Sequence, residues 1–278
     1  MFSLEWLSRM AKPLVSRSPF LVMMYRRMRD QLEGVEKPLL TPWGFTLAGN
    51  PTMAKGFFEP TETRLVRTML PNVDVFVNVG ANVGYYCCHA LNMGKRAIAF
   101  EPIPRNIRFL CKNVKDNGWD DIEIFPIALT NKHGLLEIYG DNTGASLVKG
   151  WAGTPESQVT VVPCSTMDLL IGARLHGQRA LVLVDVEGAE KWMLEGARQI
   201  LNNDPKPIWI VEISARDHQP NGVEINPNFS STFQIFFDNG YESFGIGEEV
   251  RSITSDDVRL LASGSIKAGT HNFMFREL

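Results

Sequence analysis

Residues 73–86 read VDVFVNVGANVGYY, an apolar run that leads into a turn with two glycines. The β-branched side chains are typical of a parallel strand covered on both faces, so we expect a strand over residues 73–79. Gly80 and Gly84 lack a Cβ and let the backbone turn tightly and approach a ligand. The stretch therefore predicts a buried strand, a glycine turn and the start of a helix.

A second stretch, AIAFEPIPRN at residues 97–106, places a carboxylate at the end of the next expected strand. Glu101 follows Gly80 by about 20 residues, the spacing at which an acid binds ribose hydroxyls in nucleotide-binding folds. Together the two stretches predict a pocket for a cofactor that carries adenosine.

The glycine turn favours S-adenosylmethionine over NAD as that cofactor. Turns that bind NAD have the pattern GxGxxG, in which the second glycine admits the pyrophosphate. Asn82 occupies that position here. S-adenosylmethionine has no phosphate, and the backbone and small polar groups of this turn suit its amino-acid end. A turn that binds no ligand is the remaining alternative, and Glu101 disfavours it.

Strands and helices alternate along the chain, which predicts βαβ units and a parallel sheet. The further strands are expected over residues 96–101, 122–127, 180–186, 207–213, 241–246 and 272–276. The helices are expected over residues 59–70, 83–93, 104–117, 189–202 and 230–239. Two short strands and a polar loop interrupt this order over residues 134–163, and we expect this insertion to be a substrate lid.

Three acids end predicted strands, at the edge where open α/β sheets bind ligands. Asp185 ends the apolar run ALVLV, Glu187 follows it, and Glu212 ends the next strand. In an extended chain Asp185 and Glu187 point to the same side and can face one pocket. The alternative is that one of them caps the helix that follows. Glu190 falls in the first turn of that helix, where the helix dipole explains a negative charge.

The cofactor favoured by the glycine turn is a methyl donor, and methyl transfer to an oxygen would need alignment and a base that removes the hydroxyl proton. Asp185, Glu187 and Glu212 are candidates for the base. His218, in the loop SARDHQPN, is a further candidate, although a single loop histidine is often simply exposed. The same three acids could also hold a magnesium ion, because carboxylates are the ligands this cation prefers.

The chain resembles the FkbM family of S-adenosylmethionine-dependent methyltransferases. The resemblance rests on four blocks in the family's order: NVGANVGYY at 78–86, FEPIPRN at 100–106, PIALTNKHG at 126–134 and LVLVDVEGAEKWMLEGA at 181–197. It implies an α/β, Rossmann-like class I methyltransferase fold, with a mostly parallel central sheet and a final antiparallel strand. Two positions depart from the family's pattern. Asn78 stands where an acid is common, and Leu183 stands where a lysine is common.

The resemblance also implies methylation of a hydroxyl on a sugar of a polysaccharide or glycolipid, or on a polyketide-like metabolite. The alternatives are an acceptor nitrogen or RNA, and a noncatalytic binding protein with the same fold. The residues expected to contact the cofactor lie on the glycine turn or at the ends of the first four strands of the parallel sheet. They are Asn78, Gly80, Ala81, Asn82, Gly84, Tyr85, Glu101, Pro102, Asn106, Ile127, Ala128 and Asp185.

Composition limits the partners and the location. With 28 basic and 31 acidic residues the net charge is -3, which disfavours a nucleic-acid partner. The four cysteines include no CxxC pair, as is usual for a reduced, cytoplasmic protein. We expect a helical and hairpin appendage over residues 1–56 and a catalytic domain over residues 57–278. Basic and apolar side chains in residues 1–30 are compatible with peripheral contact to the inner membrane face. Pro13 and Pro19 interrupt a long amphipathic helix, which favours the alternative of packing on the domain or on a second copy.

Overall fold

The computed structural model describes residues 37–140, 144–247, 249–267 and 269–277. The strands in these ranges are β1 (Leu39–Leu40), β2 (Thr46–Leu47), β3 (Val75–Val79), β4 (Arg96–Phe100), β5 (Ile122–Phe125), β6 (Ala128–Leu129), β7 (Gly134–Tyr139), β8 (Val159–Ser165), β9 (Ala180–Val184), β10 (Ile208–Glu212), β11 (Glu242–Gly245), β12 (Arg251–Ile253) and β13 (Asn272–Arg276). The α-helices are α1 (Pro51–Ala54), α2 (Pro60–Met69), α3 (Tyr85–Asn92), α4 (Pro104–Asp116), α5 (Met167–Ile171), α6 (Glu190–Glu195), α7 (Arg198–Leu201), α8 (Phe229–Asp238) and α9 (Ser255–Ser263). None of the helices in this part of the chain is long and apolar enough to cross a membrane.

The large sheet has the strand order β12-β11-β13-β10-β9-β3-β4-β5. Strands β10, β9, β3, β4 and β5 run parallel to one another. The last strand, β13, lies antiparallel between β10 and β11. This arrangement confirms the expected Rossmann-like fold with a mostly parallel sheet and a final antiparallel strand.

The central strand β3 is buried on both faces, as its sequence predicts. Val75, Val77 and Val79 pack into the core on one side of the sheet. Phe76 packs into the core on the other side, against α3 and α4. The register with β9 pairs Val79 with Val184, so the turn after β3 lies directly beside Asp185. The pairing of β3 with β9 thus places the glycine turn next to the predicted site residue Asp185.

The prediction of one helix over residues 189–202 is wrong, because this segment forms two helices, α6 and α7. A Cβ at Gly196 would lie 2.2 Å from the carbonyl oxygen of Thr130. The Gly196 carbonyl accepts a hydrogen bond from the backbone N–H of Asp168. The Asp168 carboxylate then accepts hydrogen bonds from the N–H groups of Gln199 and Ile200 and caps α7. Contacts distant in sequence therefore stop one helix and start the next.

Other elements also differ from the sequence prediction. The strand predicted over residues 122–127 ends at Phe125, and Ala128–Leu129 instead pairs with β8 in a separate sheet of three strands. In that small sheet β7 and β8 form the antiparallel pair expected within the insertion. The elements α5, β12 and α9 were not expected from the sequence.

Residues 37–56 pack against the rest of the described chain. Phe45 and Met53 are buried in the same core as α3 and α4. The Asn113 side chain on α4 accepts a hydrogen bond from the Ala48 N–H and donates one to the Ala48 carbonyl. The domain boundary at residue 56 stays a prediction. Residues 1–30, where packing or membrane contact was expected, lie outside the described residues.

Candidate active site

A cavity of about 590 Å³ lies beyond the carboxyl ends of β3, β4 and β9. We name it the Glu101 cavity. Its walls come from the glycine turn, the segments after β4, β5 and β9, and the insertion between β7 and β8. The sequence-predicted residues on its walls are Gly80, Asn82, Glu101, Pro102, Asn106, Ile127, Ala128, Asp185 and Glu187.

A second cavity of about 490 Å³ adjoins the first, and we name it the Glu59 cavity. Gly80, Asn82 and Asp185 line both cavities, so the two are neighbours at the glycine turn. The sequence-predicted residues found only on the walls of the Glu59 cavity are Asn78, Ala81, Tyr85 and Glu212. Gly84 and His218 line neither cavity.

Glu101 is fixed in the wall of its cavity by three hydrogen bonds. Its Oε2 accepts the N–H of Asn82 at 2.8 Å. Its Oε1 accepts the N–H of Ile103 at 2.8 Å and the side-chain amide of Asn106 at 3.3 Å. Burial raises the pKa of Glu101, and these three donors act against that rise. The carboxylate thus ties the glycine turn to the end of β4, where ribose hydroxyls were expected to bind.

The two glycines of the turn are required by packing of the protein itself. Gly80 has φ 82°, and a Cβ there would lie 1.8 Å from the carbonyl oxygen of Asp185. Gly84 has φ 86°, and a Cβ there would lie 2.3 Å from Cδ1 of Leu110 on α4. Both positions also demand the left-handed conformation that glycine adopts most easily. Close approach of β9 and α4 therefore accounts for both glycines, and the approach of a ligand to this turn stays a prediction.

Asp185 carries a carboxylate oxygen that the protein leaves without a partner. The residue is half-buried, but its Oδ1 is buried and has no hydrogen-bond partner among the described residues. Burial raises the pKa of Asp185 well above its ordinary value, and nearby carboxylates raise it further. Those carboxylates are Glu212, Glu187, Glu59 and Glu190.

Glu187 faces the same cavity as Asp185, but for a different reason from the one expected. The extended chain assumed from the sequence is wrong, because Glu187 has φ 53° in the left-handed region. A non-glycine residue in this conformation is strained, and such residues concentrate at functional sites. Tertiary contacts of its carbonyl and carboxylate hold this conformation.

Those contacts come from the insertion between β7 and β8. The indole N–H of Trp151 donates to Oε2 of Glu187 at 2.6 Å, and the Ser146 hydroxyl donates to the Glu187 carbonyl. Trp151 is buried against Gly188, where a Cβ would lie 2.6 Å from the indole ring. Ala145 and Leu147 line the Glu101 cavity beside it. The insertion expected to be a lid is therefore docked on the site.

The alternative interpretation, that Asp185 or Glu187 caps the following helix α6, is wrong. The residue before α6 is Ala189, and no side chain caps it. The Gly188 N–H instead donates to Oε1 of Glu190 at 2.8 Å. Glu190 lies in the first turn of the helix, as expected, but it is buried, and burial raises its pKa to about 7.

His218 lies beside the insertion. Its side chain is exposed, and its ring centroid is 6.0 Å from that of Trp151. Its carbonyl accepts the Ala152 N–H at 2.7 Å. The loop after β10 thus supports the docked insertion.

A hydrogen-bonded pair on the wall of the Glu59 cavity was not predicted from the sequence. The Tyr86 hydroxyl donates to Oε2 of Glu59 at 2.6 Å, and both side chains line the Glu59 cavity. Glu59 has φ 41° just before α2 and was interpreted only as the start of a helix. The sequence around Glu59 gives no sign of this role, because Glu59 reaches the cavity only when α2 packs against α3.

Five carboxylates besides Glu101 line the two cavities, Glu190 is buried next to them, and we call these six the acid cluster. They are Glu59, Glu62, Asp185, Glu187, Glu190 and Glu212. The pKa of Glu212 is raised to about 8, first by burial and then by its acidic neighbours. Within the described ranges no three His, Cys, Asp or Glu side chains are arranged to hold a metal ion.

Titration of the acid cluster is expected to make the cofactor-free protein less stable as the pH rises. The pKa of Glu212 rises from 4.5 to about 8 on folding, so between these values the folded chain retains a proton that the unfolded chain has lost. The free energy of unfolding should therefore be largest near about pH 5 and fall toward about pH 8, where each pKa unit corresponds to about 1.4 kcal/mol.

Denaturant unfolding at these two pH values measures the effect. Glu212→Gln should reduce the pH dependence, whereas Glu242→Gln, at an exposed position on β11, should leave it unchanged. Equal pH dependence in the wild type and Glu212→Gln would contradict the prediction.

Comparison with known proteins identifies the family. Residues 78–243, more than half of the chain, match the family model of the Methyltransferase FkbM domain. No curated protein matches the chain significantly in sequence.

Several solved methyltransferases are distantly similar in structure. An S-adenosylmethionine-dependent methyltransferase from Agrobacterium tumefaciens has a TM-score of 0.43 and 11% identity, over 87% of this chain and 69% of that chain. Precorrin-6y C5,15-methyltransferase from Geobacter metallireducens has a TM-score of 0.42 and 9% identity, over 82% and 91%. Fibrillarin from Aeropyrum pernix, with natively bound S-adenosyl-L-methionine, has a TM-score of 0.38 and 15% identity, over 76% and 73%. On the family match, the chain belongs to the FkbM family of S-adenosylmethionine-dependent methyltransferases.

Proposed function

We propose that this methyltransferase methylates a hydroxyl group of a sugar unit or of a polyketide-like metabolite, and that Asp185 is the base. The observation that carries the proposal is the buried Oδ1 of Asp185, which has no hydrogen-bond partner at the junction of the two cavities. A buried, unpartnered carboxylate oxygen is costly, so its position there is best explained by a ligand. The sugar or polyketide class follows from the family resemblance.

The cavity walls fit S-adenosylmethionine, which supplies an electrophilic methyl group on a sulfonium. Glu101 presents a fixed carboxylate for ribose hydroxyls. Ile103, Ile127 and Ala128 give the Glu101 cavity an apolar wall suited to a purine. Asn106 contributes a buried amide oxygen, Oδ1, that lacks a partner among the described residues. An unpaired acceptor of this kind suits an amino group on the purine.

The acids and the insertion have separate tasks in this proposal. Because burial raises the pKa of Asp185, its ionised form is a stronger base than an exposed carboxylate. A cation bound beside Asp185 favours the ionised form of its carboxylate. Trp151 holds Glu187 at the wall, where its carboxylate can orient an acceptor hydroxyl. The docked insertion excludes water from the same wall.

Calorimetry with S-adenosylmethionine and with NAD tests the cofactor assignment. We expect binding of the former and none of the latter. Glu101→Ala should weaken binding by about 1 to 3 kcal/mol, the usual effect of losing hydrogen bonds to a charged group. Binding of NAD alone would refute the assignment, and an unchanged affinity in Glu101→Ala would remove that residue from the ribose.

Methyl transfer to a panel of acceptors tests the substrate class. The panel contains oligosaccharides, polyketide alcohols, amines and RNA, and product is measured by mass spectrometry. Methylated hydroxyl products are expected, whereas transfer only to amines or RNA would overturn the proposal. A loss of rate on adding a chelator, restored by magnesium, would show that the acids act with a cation.

A cytoplasmic location, peripheral membrane contact through residues 1–30 and a homo-oligomer stay predictions. Fractionation of cells, flotation with anionic liposomes and sedimentation of the purified protein test them.

A further inference from the structure

We propose that a groove on the outer side of α2 binds a phosphate group, and that this phosphate belongs to the acceptor of the methyl group. The link to the acceptor rests on the proposed function, whereas the phosphate site does not. The groove has a volume of about 760 Å³, and we name it the Arg67 groove. Arg64 and Arg67 give it positive charge, and Trp43 and Met93 give it an apolar wall.

Helix α2 presents opposite charges on its two sides. Glu62, together with Glu59 immediately before the helix, lines the Glu59 cavity. Arg64 and Arg67 line the Arg67 groove. The acid cluster repels a phosphate, whereas the arginines attract it. A phosphorylated ligand near this helix is therefore expected to place its phosphate in the groove.

Arg67 is held in place but is not neutralised. Its guanidinium donates to Nδ1 of His89 at 3.0 Å, and its Cζ lies 5.9 Å from the centroid of the Trp43 ring. Burial, and then the charge of Arg67, lower the pKa of His89 to about 3, so this histidine is neutral. No carboxylate pairs with Arg67 in the described part of the chain. A half-buried charge without a counter-ion is unfavourable, and an anion in the groove would supply one.

Arg64 places a second guanidinium beside the first. It lies three residues before Arg67, so the two side chains are neighbours on the helix surface. Among the described residues Arg64 also forms no ion pair. Neighbouring like charges on a helix repel each other, and a shared anion removes that cost. A phosphate has three oxygens that can accept from both arginines, whereas one guanidinium already occupies both oxygens of a carboxylate. The pair therefore favours a phosphate.

The groove and the Glu59 cavity lie on either side of a thin wall. Pro60 lines the groove, and the preceding residue, Glu59, lines the cavity. The hydroxyl of Thr63, which lines the groove, is 3.1 Å from the hydroxyl of Tyr85, which lines the cavity, and both residues are buried. A ligand with its phosphate at the arginines can therefore extend over the start of α2 toward the acid cluster.

An NMR titration tests the phosphate site without assuming the reaction. The probe is glucose 1-phosphate, and glucose is the matched ligand without the phosphate. The wild type should bind the former and not the latter. Arg64→Gln should weaken the binding about 10-fold, the scale for loss of a hydrogen bond between charged groups. Arg67→Lys, which keeps the charge but not the planar fork, should also weaken it.

Arg198→Gln is the control for loss of one positive charge. Arg198 is exposed on α7, which packs on the opposite face of the sheet from α2, so this variant should bind glucose 1-phosphate as the wild type does. Equal affinities of the wild type and Arg64→Gln would overturn the site, as would equal affinities of the wild type for glucose and glucose 1-phosphate. Binding to phosphatidylglycerol vesicles without binding of glucose 1-phosphate would also overturn the proposal and assign the arginines to a membrane surface.

Methyl transfer to oligosaccharides with and without a phosphate tests the link to the acceptor. The wild type should show a lower KM for the phosphorylated ones, and Arg64→Gln should lose that preference. Equal KM values in the wild type would refute the link. A wild type that binds glucose 1-phosphate but methylates no hydroxyl would refute the proposed function and leave the phosphate site standing.

Discussion

Replacing Asp185 with asparagine is expected to lower the rate of methyl transfer by about a hundredfold or more, the usual scale for loss of general-base catalysis. Asparagine keeps the shape of the side chain but cannot accept the acceptor's proton. The folded state should not be weakened, because the aspartate oxygen Oδ1 is buried without a partner and gains nothing from the protein. Binding of S-adenosylhomocysteine should stay near the wild-type value.

Single-turnover rates and thermal melting separate the two possible roles of Asp185. A normal rate in Asp185→Asn would refute the catalytic assignment, and a strongly lowered melting temperature would indicate a structural role. Glu190→Gln is the matched control. Its amide oxygen can still accept the Gly188 N–H, so the rate should change little.

Replacing Gly80 with alanine is expected to destabilise the fold by several kcal/mol. The added Cβ would lie 1.8 Å from the carbonyl oxygen of Asp185, which is backbone and cannot rotate away. Overpacking costs about 1 to 3 kcal/mol, and the left-handed conformation adds about 1 to 2 kcal/mol for a residue with a side chain. The only relief is separation of β3 from the end of β9, which would also displace Asp185.

Denaturant unfolding of Gly80→Ala and Gly94→Ala isolates the cause. Gly94 also has a positive φ, 69°, but a Cβ there meets nothing within 4 Å. Gly94→Ala should therefore show only the smaller conformational cost. Equal losses in the two variants would show that contact with Asp185 does not matter.

Much of the fold and of the first cavity follows from local sequence. The apolar run of β3 and the alternation of elements predict a parallel sheet, because a strand buried on both faces needs apolar residues throughout. The spacing of Gly80 and Glu101 predicts a pocket beyond these strands, because the carboxyl ends of parallel strands share one edge. The structure places both residues on the wall of the Glu101 cavity.

The sequence alone does not predict where the chain departs from local rules. The break between α6 and α7 depends on Thr130 and Asp168, which are distant in sequence. The left-handed backbone of Glu187 depends on Trp151 and Ser146 from the insertion. Neither feature is visible in a helical or extended pattern.

The sequence by itself thus determined the class of fold, the glycine turn and the carboxylates at the strand ends, because the apolar strand patterns, the turn residues and the alternation of elements are properties of residues that are close in the chain. Tertiary structure alone decided that Glu59 joins these carboxylates, since α2 must first pack against α3. It also decided the direction in which the pKa values of these acids shift. Their raised pKa values arise from burial and mutual repulsion, which exist only once the chain has brought them together.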